Sequence, residues 1–184
     1  MGMRARLAEM MRQLVAAGSS HARMHHDGRW VLRYRDRIDV VDALPGVVIP
    51  TSLRWRGERL LQVAGQQYLF HRFTADARPG AAGVDPDWLA QADLLLDQAR
   101  GADRLRLAPA GRSRSWKNLA QERGIPPWLR PALPILRRED AVVHAAPFGM
   151  NRDLAGGAPV VPPAPGSERV AIEWLAPPAW ARWI

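Results

Sequence analysis

Cysteine is absent from this 184-residue chain. That excludes disulfides, thiolate zinc sites and cysteine nucleophiles, and removes any dependence on an oxidising compartment. Long apolar runs are absent too. None approaches the roughly 18 residues that a membrane span needs, and Arg4, Arg6 and Glu9 stand where a signal peptide would carry its apolar centre. The expectation is a cytoplasmic protein with no membrane partner. Phe and Tyr are scarce, three and two residues against eight tryptophans, so most of the indoles are expected to be half-buried anchors. Lysine is almost missing: of 26 basic residues only Lys117 is not arginine.

What is present is a hydrophobic content of 47% and a formal charge of +8. The first is enough for a real core at this length, in one domain or two small ones. An arginine bias can reflect coding composition as readily as phosphate binding, so the distribution of charge says more than the total. Residues 100–138 carry ten basic and two acidic side chains, a local excess equal to that of the whole chain. Such a stretch is the electrostatic footprint expected for a polyanion.

Along the chain, Leu7, Met10, Met11, Leu14 and Val15 recur at helical spacing over residues 4–17, with Arg6, Glu9 and Arg12 on the other side and Gly18 as a stop. The runs RWVLRYR and RIDVVDAL, joined at Arg35-Asp36-Arg37, predict a hairpin. Pro45, Gly46 and Pro50 mark a boundary near 45–50. Strands are expected near 53–56, 60–64, 68–73, 134–138, 141–146 and 170–175. Loops are expected at 76–86 and 155–167. DLLLDQAR and RLRLAP read as two further extended segments across Gly101, although Ala and Leu there also suit a helix. The class is α+β: an amphipathic helix plus hairpin, then a mostly antiparallel sheet domain with one or two short helices.

The stretch GRSRSWKNLAQERGIPPWLRPALPIL, residues 111–136, is the most informative. A helix over about 114–123 puts Trp116, Leu119, Ala120 and Arg123 on one face and Arg114, Lys117 and Gln121 on another. Ser113 is the expected N-cap, Gly124 the left-handed stop, and Pro126 and Pro127 forbid continuation. Cations at a helix start oppose the helix dipole. A phosphate held by backbone N–H groups and by Arg112, Arg114 and Lys117 would account for them.

This stretch, with RGADRLRLAP before it and EDAVVHAAPFGMNRD after it, resembles the C-terminal domain of the tRNA(Ile)-lysidine synthetase family. SLRWRGERLL and WVLRYRDRIDVV carry a weaker likeness. The resemblance implies that residues 1–46 end a middle, substrate-binding domain and that 47–184 form the C-terminal domain. It further implies that tRNA is the partner and its acceptor stem part of what is gripped. Contacts carried over by position are Arg112, Arg114 and Lys117, with Arg100, Arg104 and Arg130 as weaker candidates. Family members often carry consecutive lysines where this helix has Ser115, Trp116 and Lys117. They also often read Gly-Asp-Arg where Ala102 here separates Gly101 from Asp103.

The family's ATP-binding domain carries a Ser-Gly-Gly loop, and the only Gly-Gly here is Gly156-Gly157 in a Pro-rich segment. The expectation is therefore a chain without catalytic residues or cofactor of its own. ATP and lysine would be used by a catalytic domain outside it, and that ATPase domain or a homodimer mate is a further possible partner. A rival class is a protein-interaction module that docks on a separate ATPase subunit through the residues 4–17 stripe or the tryptophan-rich C-terminus.

Other constellations read as structural. His21, His25 and His26 are expected on a surface loop rather than around a metal, since no third ligand is evident. Asp85 and Asp87 flank Pro86 in a turn. His71 and His144 sit in apolar strands, and Ser113 and Ser115 have no His and Asp beside them to make a nucleophile. Trp174, Trp180 and Trp183 pack on the sheet or stay free to stack on bases.

Overall fold

Short strands joined by two-residue turns dominate the architecture. In the computed structural model, residues 8, 9, 12, 21–154, 164 and 166–184 are described; the helix read at 4–17 and the loop read at 155–167 lie almost wholly outside them. The first sheet, β1 (His21–His26), β2 (Arg29–Tyr34) and β3 (Arg37–Val41), is an antiparallel meander. The hairpin expected at β2 and β3 is there. The histidine-bearing loop expected before it is instead a strand, paired with β2 along its full length from His21↔Tyr34 to His26↔Arg29. The overlooked signal is Asp27-Gly28, which takes φ values of 51° and 74°. Two consecutive left-handed residues match the twist of a two-residue hairpin, which is why Asp-Gly favours one.

A five-stranded antiparallel sheet follows in the spatial order β12 (Gly149–Met150), β11 (Ala141–Ala145), β10 (Ile135–Arg138), β7 (Leu94–Asp97) and β4 (Thr51–Leu53). A three-stranded sheet stacks against it in the order β13 (Glu168–Leu175), β6 (Gln66–Thr74) and β5 (Leu60–Val63). Two further residues each form β8 (Arg104–Leu105) and β9 (Arg114–Ser115). The helices are α1 (Pro86–Ala90) and α2 (Trp116–Glu122). The class is thus α+β and sheet-dominated, as expected. RLRLAP gives only two strand residues, and the turn read at Asp85, Pro86 and Asp87 is the start of a helix, α1. There Asp85 is the N-cap, accepting from the Trp88 N–H at 2.9 Å, with Pro86 at the first helical position, where a missing N–H costs nothing.

One buried cluster joins the sheets: Leu94, Leu96, Ile135, Leu136 and Val143 from the five-stranded sheet, Tyr68, Val170 and Ile172 from the three-stranded one, and Leu32 and Val41 from the meander. Trp55, Trp116, Trp128, Trp174 and Trp183 are buried in it and Trp30, Trp88 and Trp180 pack partly against it, so the indoles anchor the fold.

His144 on β11 is buried and meets the Tyr68 ring edge-on at 5.7 Å. Burial without a partner for Nδ1 disfavours the imidazolium and depresses its pKa from 6.5 to about 3. The sign follows. Between those values the unfolded chain takes up a proton that the folded chain refuses, so stability falls as pH drops below about 6.5. Moving from pH 7.5 to pH 5 is expected to cost about 2 kcal/mol through this group alone. Urea midpoints at the two pH values check it: His144→Phe, which keeps a ring against Tyr68, should lose this part of the acid sensitivity. An equal loss in both proteins would refute the assignment.

Candidate nucleic-acid interface

The surface that carries the cationic stretch is held from below by a buried ion pair. Arg137 lies on β10, between β11 and β7, and only 1% of its side chain is exposed. Its Nη1 donates to Asp103 Oδ1 at 2.8 Å and its Nη2 to Asp103 Oδ2, a two-pronged contact of the kind guanidinium and carboxylate planes favour. Asp97 stands 3.5 Å from Arg137 Nε. Burial alone would raise the Asp97 pKa. The Gln98 N–H and the Arg100 and Arg137 guanidiniums outweigh that and hold it below the usual value.

Asp103 does more than neutralise Arg137. Its Oδ2 accepts the Arg100 N–H at 2.5 Å, closing the turn before β8, and its backbone carbonyl accepts the Trp116 N–H at 3.0 Å, receiving the start of α2. Asn151, also buried, completes the underside. Its Oδ1 accepts from the Arg106 and Asp153 N–H groups, and its Nδ2 donates to the Asp153 carbonyl at 2.8 Å and the Arg104 carbonyl at 3.4 Å. These contacts fix β8, hence its partner β9, hence α2.

The helix begins two residues later than expected, because Arg114 and Ser115 pair with Leu105 and Arg104 as β9. Ser115, not Ser113, is therefore the N-cap, its hydroxyl accepting from the Asn118 N–H at 3.2 Å. The stop is as read. Gly124 has φ 78°, its N–H reaches the Gln121 carbonyl at 3.1 Å, and the Ile125 N–H reaches the Ala120 carbonyl at 2.9 Å, a doubly bonded left-handed cap. Trp116, Leu119 and Ala120 are buried as the spacing predicts. Arg123, placed on that face by the wheel, is exposed at the C-cap of the helix.

Of the six expected contact residues, Arg112 and Lys117 are exposed and, among the described residues, carry no ion pair or side-chain hydrogen bond. Arg114 is exposed and paired with Glu122. Arg104 is anchored on the Ser113 carbonyl at 2.7 Å, Arg100 on Asp97 and Asp140, and Arg130 on the Ile125 carbonyl through both Nε and Nη2. Arg106 meets Asp153, and Arg138 lies 4.3 Å from the centre of the Trp88 ring. The acidic partners Asp97, Asp140 and Asp153 come from outside residues 100–138, so the linear count overstates the local field. The free backbone N–H groups expected at the helix start are also largely taken, by Asp103 and Ser115. Any anion here would be held by side chains.

Residues 94–174 match the family model described as the TilS substrate C-terminal domain. This segment belongs to that family. The chain is 34% identical to the tRNA(Ile)-lysidine synthase of Burkholderia pseudomallei over 200 residues, 92% of this chain and 39% of that protein. It is 36% identical to that of Azoarcus sp. over 135 residues, 72% of this chain and 27% of that one. The chain therefore spans well under half the length of these curated relatives. A solved TILS C-terminal domain aligns at 18% identity with a TM-score of 0.48, covering 70% of this chain and 98% of that one. The ion pair of Arg137 with Asp103, the Asn151 bonds and all six expected contact positions lie within the TilS C-terminal domain segment.

Other polar residues, several outside that segment, serve the fold. His71 bonds Glu173 across β6 and β13 at 3.0 Å. Trp174 donates to Gln66 at 2.9 Å and Trp183 to Asp39 at 3.1 Å, while Trp180 leans on Trp174 at 5.9 Å. Trp174 and Trp183 are buried, so they offer no stacking platform. Among the described residues no group of His, Asp or Glu is placed to hold a metal, and no helix is long and apolar enough to cross a membrane.

Proposed function

We propose that this chain is the tRNA-binding portion of a tRNA(Ile)-lysidine synthase, gripping tRNA phosphates through Arg112 and Lys117, with Arg114 between them. The observation that carries the reading is the pair of exposed cations, Arg112 and Lys117, that bracket β9 and the start of α2 within the TilS C-terminal domain segment and have no ion pair among the described residues. Their neighbours Arg100, Arg104 and Arg130 are bound within the fold and act by shaping this edge. A-form RNA is recognised mainly through its shape, phosphates and 2′-hydroxyls, and a rigid edge with a few cations suits this better than a base-reading code. In this reading the wobble-cytidine chemistry, with its ATP and lysine, is performed outside these 184 residues, and the acceptor stem is among the parts of the tRNA held here.

The test is a binding titration of the purified chain with tRNA against salt, using duplex DNA of equal length as control. Preference for tRNA that persists near physiological salt is the expected result. Equal and steeply salt-sensitive binding to both would reduce the charge to a generic attraction and sink the assignment.

A further inference from the structure

Residues 38–99 carry five arginines and eight carboxylates, so a linear count reads them as acidic. The fold sorts those charges. Arg59, just before β5, Arg72 on β6 and Arg78, just after the short 3₁₀ turn Ala75–Ala77, line one cavity of about 330 Å³. Glu58 is the one carboxylate that lines it, and its Oε2 already accepts the Arg56 N–H at 2.6 Å. A second cavity of about 380 Å³ shares Trp55 and Arg72 with the first, but there Asp85, Asp87 and Glu168 outnumber Arg56 and Arg72. Of the two, the first has the positive excess.

Its floor is fixed. Trp55 and Phe70 stack with ring centres 5.5 Å apart, and Trp55 Nε1 donates to the Glu58 carbonyl at 2.8 Å. The Arg72 guanidinium lies 5.3 Å from the centre of the Trp55 ring and donates through Nη1 to Glu168 at 3.0 Å. The Arg59 carbonyl accepts the Phe70 N–H at 2.8 Å, which ties the approach to β5 against β6. With Trp55 and Phe70 only 2% and 3% exposed, the aromatic floor is closed and a ligand meets charge rather than the apolar lining that small molecules favour. Arg59 and Arg78 are exposed, and among the described residues neither side chain has an ion pair or a hydrogen bond. Arg100, Arg104 and Arg130, by contrast, are bound within the fold. Three guanidiniums around one cavity repel each other. A phosphate offsets that repulsion and matches their planar donor forks.

We propose that this cavity is a second phosphate site for RNA, in which Arg59 and Arg78, beside the fixed Arg72, hold phosphodiester oxygens of the tRNA backbone. It lies upstream of residues 94–174, the segment that the family model matches. The inference rests on the reading that the chain binds tRNA, and it adds to the α2 edge a contact carried by a different sheet.

The test is modification of the full chain by phenylglyoxal, an arginine reagent, mapped residue by residue by mass spectrometry. With free tRNA at roughly ten times its Kd, reaction at Arg59 and Arg78 should slow about tenfold, the factor by which occupancy depletes the free chain, while Arg23 on the meander keeps its rate. In a separate titration, Arg59→Ala with Arg78→Ala should lower the slope of log affinity against log salt by about one to two units. Both side chains are exposed, so the urea midpoint should stay in place. Protection of Arg112 without protection of Arg59 and Arg78, or an unchanged slope in the double variant, would overturn this site and leave the α2 edge standing. Protection of Arg59 and Arg78 without Arg112 would support this site and remove the edge. Protection at neither place would overturn both. Inorganic phosphate serves as the other arm: if it shields Arg59 and Arg78 at millimolar concentration and tRNA does not, the site belongs to a small anion and the RNA assignment is lost.

Discussion

Asp103→Ala is expected to lower the unfolding free energy by about 3–5 kcal/mol, the usual consequence of removing one partner of a buried ion pair. The loss is large because the surviving group is the Arg137 guanidinium, 1% exposed on a central strand, with the Gln98 carbonyl at 3.2 Å as its remaining hydrogen-bond acceptor. Asp97, 3.5 Å from Nε, offsets part of the charge but is itself shared with Arg100. The Arg100 N–H loses its acceptor in the same variant. Urea unfolding measures the effect, and a cost below about 1 kcal/mol would refute the role given to the pair. Replacing both partners at once, as Asp103→Leu with Arg137→Met, should recover much of the loss, since apolar side chains of similar volume leave no charge stranded.

The second large effect is on binding. Arg112→Ala, Arg114→Ala and Lys117→Ala together should weaken tRNA binding and flatten its dependence on log salt by about two to three units, at somewhat under one unit per phosphate contact. Arg112 and Lys117 should account for most of this, because Arg114 is already paired with Glu122. Arg23→Ala, which removes an exposed cation from the meander, should leave the slope nearly unchanged. An unchanged slope in the triple variant would eliminate this edge as the tRNA contact. Since none of the three side chains is buried, the unfolding midpoint should move little, which separates this outcome from that of Asp103→Ala.

Much of the fold was legible where local chemistry decides it. The hairpin of β2 and β3, the apolar face of α2 and its glycine stop all follow from spacing and from the conformations that single residues allow. What escaped was set by distant partners. Arg114 and Ser115 are strand rather than helix because Leu105 and Arg104 lie beside them, and that pairing moved the N-cap from Ser113 to Ser115. Arg137 looks like one more surface cation in a basic stretch, and only the fold brings Asp103 to it across 34 positions. The Asp-Gly turn after β1 is the exception: it is a local signal, carried in the sequence by Asp27 and Gly28 alone.

Lys117 has one more consequence. It is the single lysine in the sequence, exposed on α2 and, among the described residues, without an ion pair. Arginine guanidiniums stay protonated and do not acylate under mild conditions, so an amine-reactive dye has one side chain to find. The protein thereby carries a natural attachment point for a fluorophore or spin label on the edge in question, with no engineered residue needed to place it there.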